Sequence, residues 1–343
     1  MHKISVIVAH QGLGAENLKR IAAVDPRVEV TESIYVDDTT REWVESMRQL
    51  ARPNAPPADG ALFFKLAPEA EVIFTVRLPA NILEIAPKLK WVHIYGAGVD
   101  PMAKTGILEH GLKLSNSAGI NAPPISEFVM SYMLMHVKRM ADRLRARDRG
   151  EWQRWQNDSL DGKVLGIVGP GHIGSETAKR AAPFGMRIIA ARRSYRPGQK
   201  LPHIEEVYPM ERLHEMLGQC DYVLVSVSLS RQTRKLMGEK ELAAIKKGAY
   251  IMNVARGAVI DQKALIAALE SGHLGGAALD VFDPEPLEKD SPLWKMPNVF
   301  ITPHNAGAYI KHPEKATVFF CENLRRYIHG EPLLNHITPE MGY

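Results

Sequence analysis

The sequence predicts an α/β protein made of two βα-alternating lobes, and three observations predict it. The chain has 343 residues, a length that suits two domains each able to bury its own core. Short β-branched or aromatic runs alternate with segments of helical periodicity along nearly the whole chain. Near the middle, a glycine turn separates one such run from the helix that follows it. At 45% hydrophobic and 24% charged residues, the composition excludes disorder and fibrous classes.

In the first lobe, residues 4–8, 28–30, 72–75 and 91–95 read as strands, and residues 15–23 as a helix. The Pro- and Ala-rich stretch 52–60 reads as a surface loop rather than a domain linker. At Asn121, a capping residue followed by Pro123 and Pro124, one long helix is predicted to start and to continue to about Arg147. Its first half is apolar on most faces and its second half charged, so it is expected to pack between lobes or subunits, which makes a homodimer the expected assembly. A second series follows Asp161-Gly162, with strands at 163–168, 187–191, 222–227, 249–254, 277–281 and 299–301, the apolar runs of buried parallel strands. A final helix at 314–329 is expected to return to the first lobe. The expected boundaries are a first, smaller lobe at 1–116 completed by 310–343, and a second at 117–309.

The formal net charge of +4 is small and its cations are dispersed, so no nucleic-acid partner is expected. Cys220 and Cys321 are far apart and lack CxxC spacing. Neither a disulfide framework nor a metal site is expected, and both residues read as buried, inert thiols. The apolar run 4–9 is too short for a signal-peptide core, and no stretch approaches the roughly 20 apolar residues of a membrane span. A reducing, cytoplasmic setting away from membranes is the expectation.

Gly169-Pro170-Gly171-His172-Ile173-Gly174 follows the strand at 163–168 and opens a helix. That context carries the dinucleotide-binding reading: the first glycine permits the turn, the second lets backbone approach a diphosphate, and the third lets helix and strand pack closely. The second lobe is therefore expected to be a Rossmann domain, with phosphate oxygens meeting the helix's free N–H groups. The next strand ends at Arg192-Arg193-Ser194, where an enzyme using NAD would place a carboxylate for the ribose hydroxyls. Arginine can pair bidentately with a 2′-phosphate, so NADP is expected over NAD.

Three further segments each follow a predicted strand: 253–257 with Val254, Ala255 and Arg256, 280–287 with Asp280 and Glu285, and 302–307 with His304. In an open α/β sheet, ligands bind beyond the carboxyl ends of strands, so these segments can converge on one crevice. With the glycine turn, residues 91–100 and Ser126-Glu127-Phe128, they resemble the D-isomer-specific 2-hydroxyacid dehydrogenase family, which includes glyoxylate and hydroxypyruvate reductases. The resemblance runs from residue 91 to Gly307, and the first 70 or so residues share only its pattern.

The resemblance implies a flavodoxin-like substrate lobe, a cleft between the lobes, and reduction of a 2-oxo acid to a D-2-hydroxy acid. Arg256 would hold the substrate carboxylate, because its planar fork matches one and stays charged. His304 would be the general acid and base, and Glu285 would orient its imidazole and favour the charged form. The nicotinamide would supply the hydride. Ala97 and Gly98 match the family's substrate loop, and Arg77 could add a second cation or be an ordinary exposed arginine. Ser228, Val254, Ala255, Arg256 and His304 join the glycine turn and Arg192 to Ser194 as implied cofactor contacts, and Ser228 stands where the family usually has proline. Asp280 could meet the nicotinamide amide or serve a capping or turn role.

Two alternatives stay open. One is an NAD-linked phosphoglycerate- or formate-type dehydrogenase, against which stand Arg192-Arg193 and the lack of a glutamine near His304. The other is a nucleotide-sensing interaction protein, against which stands the presence of Arg256, Glu285 and His304 together.

Overall fold

In a computed structural model of the chain, the described residues are 2–10, 13–36, 41 and 60–339. The stretch 52–60 falls outside them except for Gly60. The chain divides into two units, Met1–Ile120 with Tyr309–Tyr343, and Asn121–Ala308.

The first unit is built on strands β1 (Ile4–Ala9), β2 (Val28–Glu32), β3 (Val72–Thr75), β4 (Trp91–Ile94), β5 (Lys113–Asn116) and β13 (His336–Ile337). Their order is β13-β5-β4-β3-β1-β2, with β1 to β5 parallel and β13 antiparallel on β5. The parallel part has the flavodoxin-like order 2-1-3-4-5. Alternation along β1 explains its burial on both sides: Ile4, Val6 and Val8 enter one apolar cluster, Ile7 and Ala9 another. The helix His312–Ile328 packs into the first of these, where Phe320 stacks on Phe74 and Trp91 at ring-centroid distances of 4.4 and 5.3 Å. The final helix therefore belongs to the first unit, although the chain reaches it only after completing the second.

The second unit carries β6 (Val164–Val168), β7 (Arg187–Arg192), β8 (Glu206–Pro209), β9 (Tyr222–Val225), β10 (Tyr250–Asn253), β11 (Gly276–Leu279) and β12 (Val299–Ile301). All are parallel, in the order β12-β11-β10-β9-β6-β7-β8. This is the doubly wound Rossmann arrangement, extended by one strand, with its reversal of strand order between β6 and β9. Apolar clusters cover both faces of the sheet: Ile251 and Val223 point into one, Tyr250 and Leu224 into the other.

Three expectations are corrected. The single long helix is two, Ala122–Val137 and Met140–Asp148, because Arg139 takes the left-handed conformation at φ 52° and turns the chain. Asn121 precedes the first of them without a side-chain capping bond, and its Oδ1 is buried with no partner among the described residues. Strands β5, β8 and β13 were not predicted; with polar residues beside their few apolar ones, they lack the apolar run that marks most other strands. Cys220 is buried, but Cys321 is only partly so; both thiols are free, pushed up by burial to about 12 and about 11. No helix among the described residues is long and apolar enough to cross a membrane. None of them forms a group of three or more His, Cys, Asp or Glu that could hold a metal ion.

Candidate active site

The glycine turn lies at the carboxyl end of β6, at the point where strand order reverses, which is where such sheets open a crevice. Gly169 has φ +88°, and a Cβ there would lie 2.4 Å from Val227, so conformation and space both require glycine. A Cβ on Gly174 would come within 2.7 Å of Ile167 and 2.9 Å of the Gly169 carbonyl, which seats the helix His172–Ala181 hard against β6. Around Gly171 nothing lies within 4 Å of such an atom. The result is an open backbone cradle facing the first turn of a helix, with Pro170 buried beneath it and His172 exposed at its rim. It fits the diphosphate of a dinucleotide.

Arg192 closes β7, and its Nε and Nη2 donate to Ser194 Oγ at 3.0 and 2.6 Å. Arg193 donates from Nη1 to Gln232 Oε1. Both guanidinium groups are thus oriented by neutral partners, and neither is ion-paired among the described residues. Nearby cations differ: Arg187 pairs with Glu205, Arg180 with Glu176 and Arg212 with Glu215. Ser228 lies exposed beyond β9, and its carbonyl accepts from Thr233 Oγ1 at 2.6 Å.

Beyond β10, Asn253 folds the next residues back on themselves. Its Oδ1 accepts from the Ala255 N–H at 3.0 Å and its Nδ2 donates to the Arg256 carbonyl at 3.0 Å. Val254 and Ala255 are buried, while Arg256 is partly exposed and donates from Nη1 to the Ala255 carbonyl at 2.8 Å. Gly257 then passes against the next segment so closely that a Cβ would sit 1.9 Å from the Phe282 carbonyl carbon. That contact brings the arginine segment beside the one carrying Glu285.

Glu285 accepts from the Phe282 N–H at 3.0 Å through Oε1, while Oε2 meets His304 Nδ1 at 2.7 Å. Burial disfavours its charged form, but the His304 hydrogen bond, the Phe282 N–H and the nearby charges of His304 and Arg256 outweigh it. The carboxyl is held below its ordinary range. Nδ1 of His304 is thereby engaged, and on a side chain 46% exposed the nitrogen left for a substrate is Nε2.

His304 itself has φ 51°, a conformation few non-glycine residues adopt. Its N–H donates to the Asp280 carbonyl at 2.8 Å and to the Thr302 carbonyl at 3.1 Å. The buried Asp280 carboxylate accepts from Thr302 Oγ1 at 2.6 Å, from the Asn305 N–H at 3.0 Å and from the Ala306 N–H at 3.1 Å. Burial raises its pKa, with those bonds and the His304 charge opposing the rise. In this structure Asp280 does the work of a turn residue, holding the loop that presents His304. Tyr132, on the helix Ala122–Val137, extends the chain of hydroxyls, its OH lying 2.6 Å from Thr302 Oγ1. Sequence reasoning gave roles to neither Thr302, Tyr132 nor Asn253. The available signal for Tyr132 was a hydroxyl in an otherwise apolar helix face.

Arg77, Ala97 and Gly98 belong to the first unit, at the carboxyl ends of its strands. Arg77 is exposed two residues past β3, in a turn closed by Thr75 Oγ1, which donates to its carbonyl at 2.6 Å. Ala97 and Gly98 follow β4.

A doubly wound sheet with this cradle is the fold of a dinucleotide-binding protein. Residues 130–306 match the family model for the D-isomer specific 2-hydroxyacid dehydrogenase, NAD binding domain. A glyoxylate reductase of Korarchaeum cryptofilum is 32% identical over 92% of this chain and 97% of its own length. A D-3-phosphoglycerate dehydrogenase of Methanocaldococcus jannaschii is 34% identical over 74% of this chain and 48% of its own. Among solved structures, the NADPH-dependent glyoxylate/hydroxypyruvate reductase of Sinorhizobium meliloti, in complex with NADP and sulfate, superposes with a TM-score of 0.79. It is 25% identical, and the match covers 99% of this chain and 100% of that one. The chain belongs to the D-isomer-specific 2-hydroxyacid dehydrogenase family, and is an NAD(P)-dependent oxidoreductase of 2-oxo and 2-hydroxy acids.

Proposed function

We propose that the protein is an NADP-preferring reductase of small 2-oxo acids, glyoxylate or hydroxypyruvate among them, and that it forms D-2-hydroxy acids. The 2.7 Å contact between His304 Nδ1 and Glu285, beside Arg256, carries the reading. Arg256 holds the substrate carboxylate, and His304 Nε2 donates its proton to the carbonyl oxygen as that oxygen becomes a hydroxyl. Glu285 keeps the ring aimed by holding Nδ1. The nicotinamide, when bound, supplies the hydride to the carbonyl carbon, so proton and hydride together complete the alcohol. Arg77, Ala97 and Gly98 are assigned to substrate. Cofactor contacts are assigned to residues 169–174, to Arg192, Arg193 and Ser194, to Ser228, to Val254, Ala255 and Arg256, and to Asp280 and His304.

NADP preference is supported by Arg192 and Arg193 at the end of β7, which have neutral partners and, among the described residues, no ion-paired carboxylate to repel a 2′-phosphate. The kcat/KM ratio for NADPH against NADH, measured with glyoxylate and hydroxypyruvate, tests the proposal. A value well above one is expected, whereas NADH preference with a phosphorylated hydroxy acid as best substrate would favour the phosphoglycerate-type reading that the Methanocaldococcus relative brings. We assign a homodimer, supported by the exposed Met140, Leu144 and Trp152 that follow the apolar helix; light scattering at working concentration checks it. A reducing cytoplasmic setting accords with two free cysteines.

A further inference from the structure

The geometry points to Asn116 as a positioning residue that aims two backbone N–H groups at the substrate carboxylate. This rests on the reading that Ala97 and Gly98 take that carboxylate. Asn116 ends β5 and is paired in register with Ile94, the last residue of β4, so it stands beside the loop that leaves β4. Its side chain is buried at 4% exposure. Nδ2 donates to the Ala97 carbonyl at 2.6 Å, while Oδ1 accepts from the Ala118 N–H at 3.1 Å. The second bond fixes the amide orientation, because only the nitrogen end can then face Ala97. One residue on, the Ser117 N–H donates to the Gly96 carbonyl at 2.9 Å.

Two consecutive carbonyls of the loop, those of Gly96 and Ala97, are therefore drawn toward the segment 116–117. In a planar trans peptide the N–H points opposite to the C=O. Holding those carbonyls inward turns the N–H groups of Ala97 and Gly98 outward, away from β5. Neither N–H meets an acceptor among the described residues. Adjacent outward N–H groups form an anion-binding concavity. The segment that holds them is braced in turn by Asn335, whose Nδ2 donates to the Asn116 and Ala118 carbonyls at 3.2 and 2.8 Å. Of the two tethers, the Ser117 N–H is backbone and survives every substitution but proline; the Asn116 amide is the one set by its side chain.

The test uses the full chain with saturating NADPH. Asn116→Asp keeps the size and the acceptor for Ala118 but loses the donor, and Asn116→Ala removes both. In each, KM for glyoxylate is expected to rise about tenfold and the inhibition constant of oxamate to rise by the same factor, with kcat and the KM for NADPH within about twofold of the parent. A structural defect alone would move kcat and the cofactor KM as well. If Asn116→Ala leaves the glyoxylate KM unchanged, the positioning role is overturned, since any effect of Asp is then charge repulsion. Should Ala fail to fold, Asn116→Leu, which is uncharged, of similar size and without the donor, decides by the same two constants. Separately, the amide resonances of Ala97 and Gly98 in the unmodified protein are expected to move on adding oxamate with NADP. Amides that stay put overturn the carboxylate reading and this proposal together, whereas moving amides with an unmoved KM overturn Asn116 alone.

Discussion

His304 holds its ring in place by two independent means. The side chain is fixed through Nδ1 on Glu285, and the backbone is fixed in a left-handed turn by the Asp280 carbonyl and carboxylate. Left-handed φ costs a histidine about 1 kcal/mol or more, so the conformation persists only where surrounding bonds over-determine it. The bonds from Thr302, Asn305 and Ala306 to one buried carboxylate do so. Replacing the imidazole should leave that turn intact, because Asp280 bonds only to backbone N–H groups and to Thr302. His304→Ala is therefore expected to fold normally and to lower kcat by about 10²-fold or more, the usual scale for an acid-base group. Steady-state kinetics with glyoxylate and a thermal melt of the same preparation check both halves. Turnover within a few-fold of the parent would remove His304 from the chemistry.

At the scale of elements, the site depends on how closely the segments after β10 and β11 approach. Gly257 is the contact point: any Cβ there meets the backbone of Phe282, which cannot swing away as a side-chain tip could. Gly257→Ala is expected to push the Arg256 segment from the Glu285 segment, to lower stability by about 1–3 kcal/mol, and to raise the KM for the 2-oxo acid more than that for NADPH. Urea unfolding and the two Michaelis constants read these effects. Arg256, Glu285, His304 and the glycine turn are legible in the sequence because each lies in a segment that follows a strand, and position after a parallel strand places a side chain at the crevice. It did not show the bonds joining Tyr132, Thr302 and Asp280, since those partners are 22 and 170 residues apart and only folding brings them together. The break at Arg139 was hidden for another reason. A left-handed arginine has no composition signal, and no glycine or proline near Arg139 marks a break between the two helices. The strands at β5 and β8 are recognisable mainly by their neighbours in the sheet, which a reading along the chain does not supply.

At the scale of the molecule, the first unit buries histidines that can exist there only uncharged. His93 lies wholly buried in the sheet, with Nδ1 2.7 Å from Ser115 Oγ and Nε2 3.0 Å from Ser117 Oγ, and burial pushes it down to about 3. His312, at the start of the final helix, stacks on Tyr309 and lies tilted against Tyr95, and is pushed down by burial to about 4, against a hydrogen bond to the Tyr95 backbone. In the unfolded chain both return to the ordinary histidine value of about 6.5. Between that value and the folded ones, the unfolded state binds more protons, so stability is complete above pH of about 6.5 and is lost as pH falls toward the folded values. Acidification from pH 7 to 5 is thus expected to lower the urea midpoint of the first unit while Glu285, held below the ordinary carboxylate range, stays ionised. His312→Phe keeps the aromatic stack and removes one of the two titrations. It should therefore flatten the decline between pH 7 and 5 relative to the parent, in parallel unfolding curves followed by tryptophan fluorescence, to which Trp91, buried in the first unit in one cluster with Tyr95, reports. A decline equally steep in the variant would mean that His312 titrates alike in both states and that its packing against Tyr95 and Tyr309 does not exclude its charge.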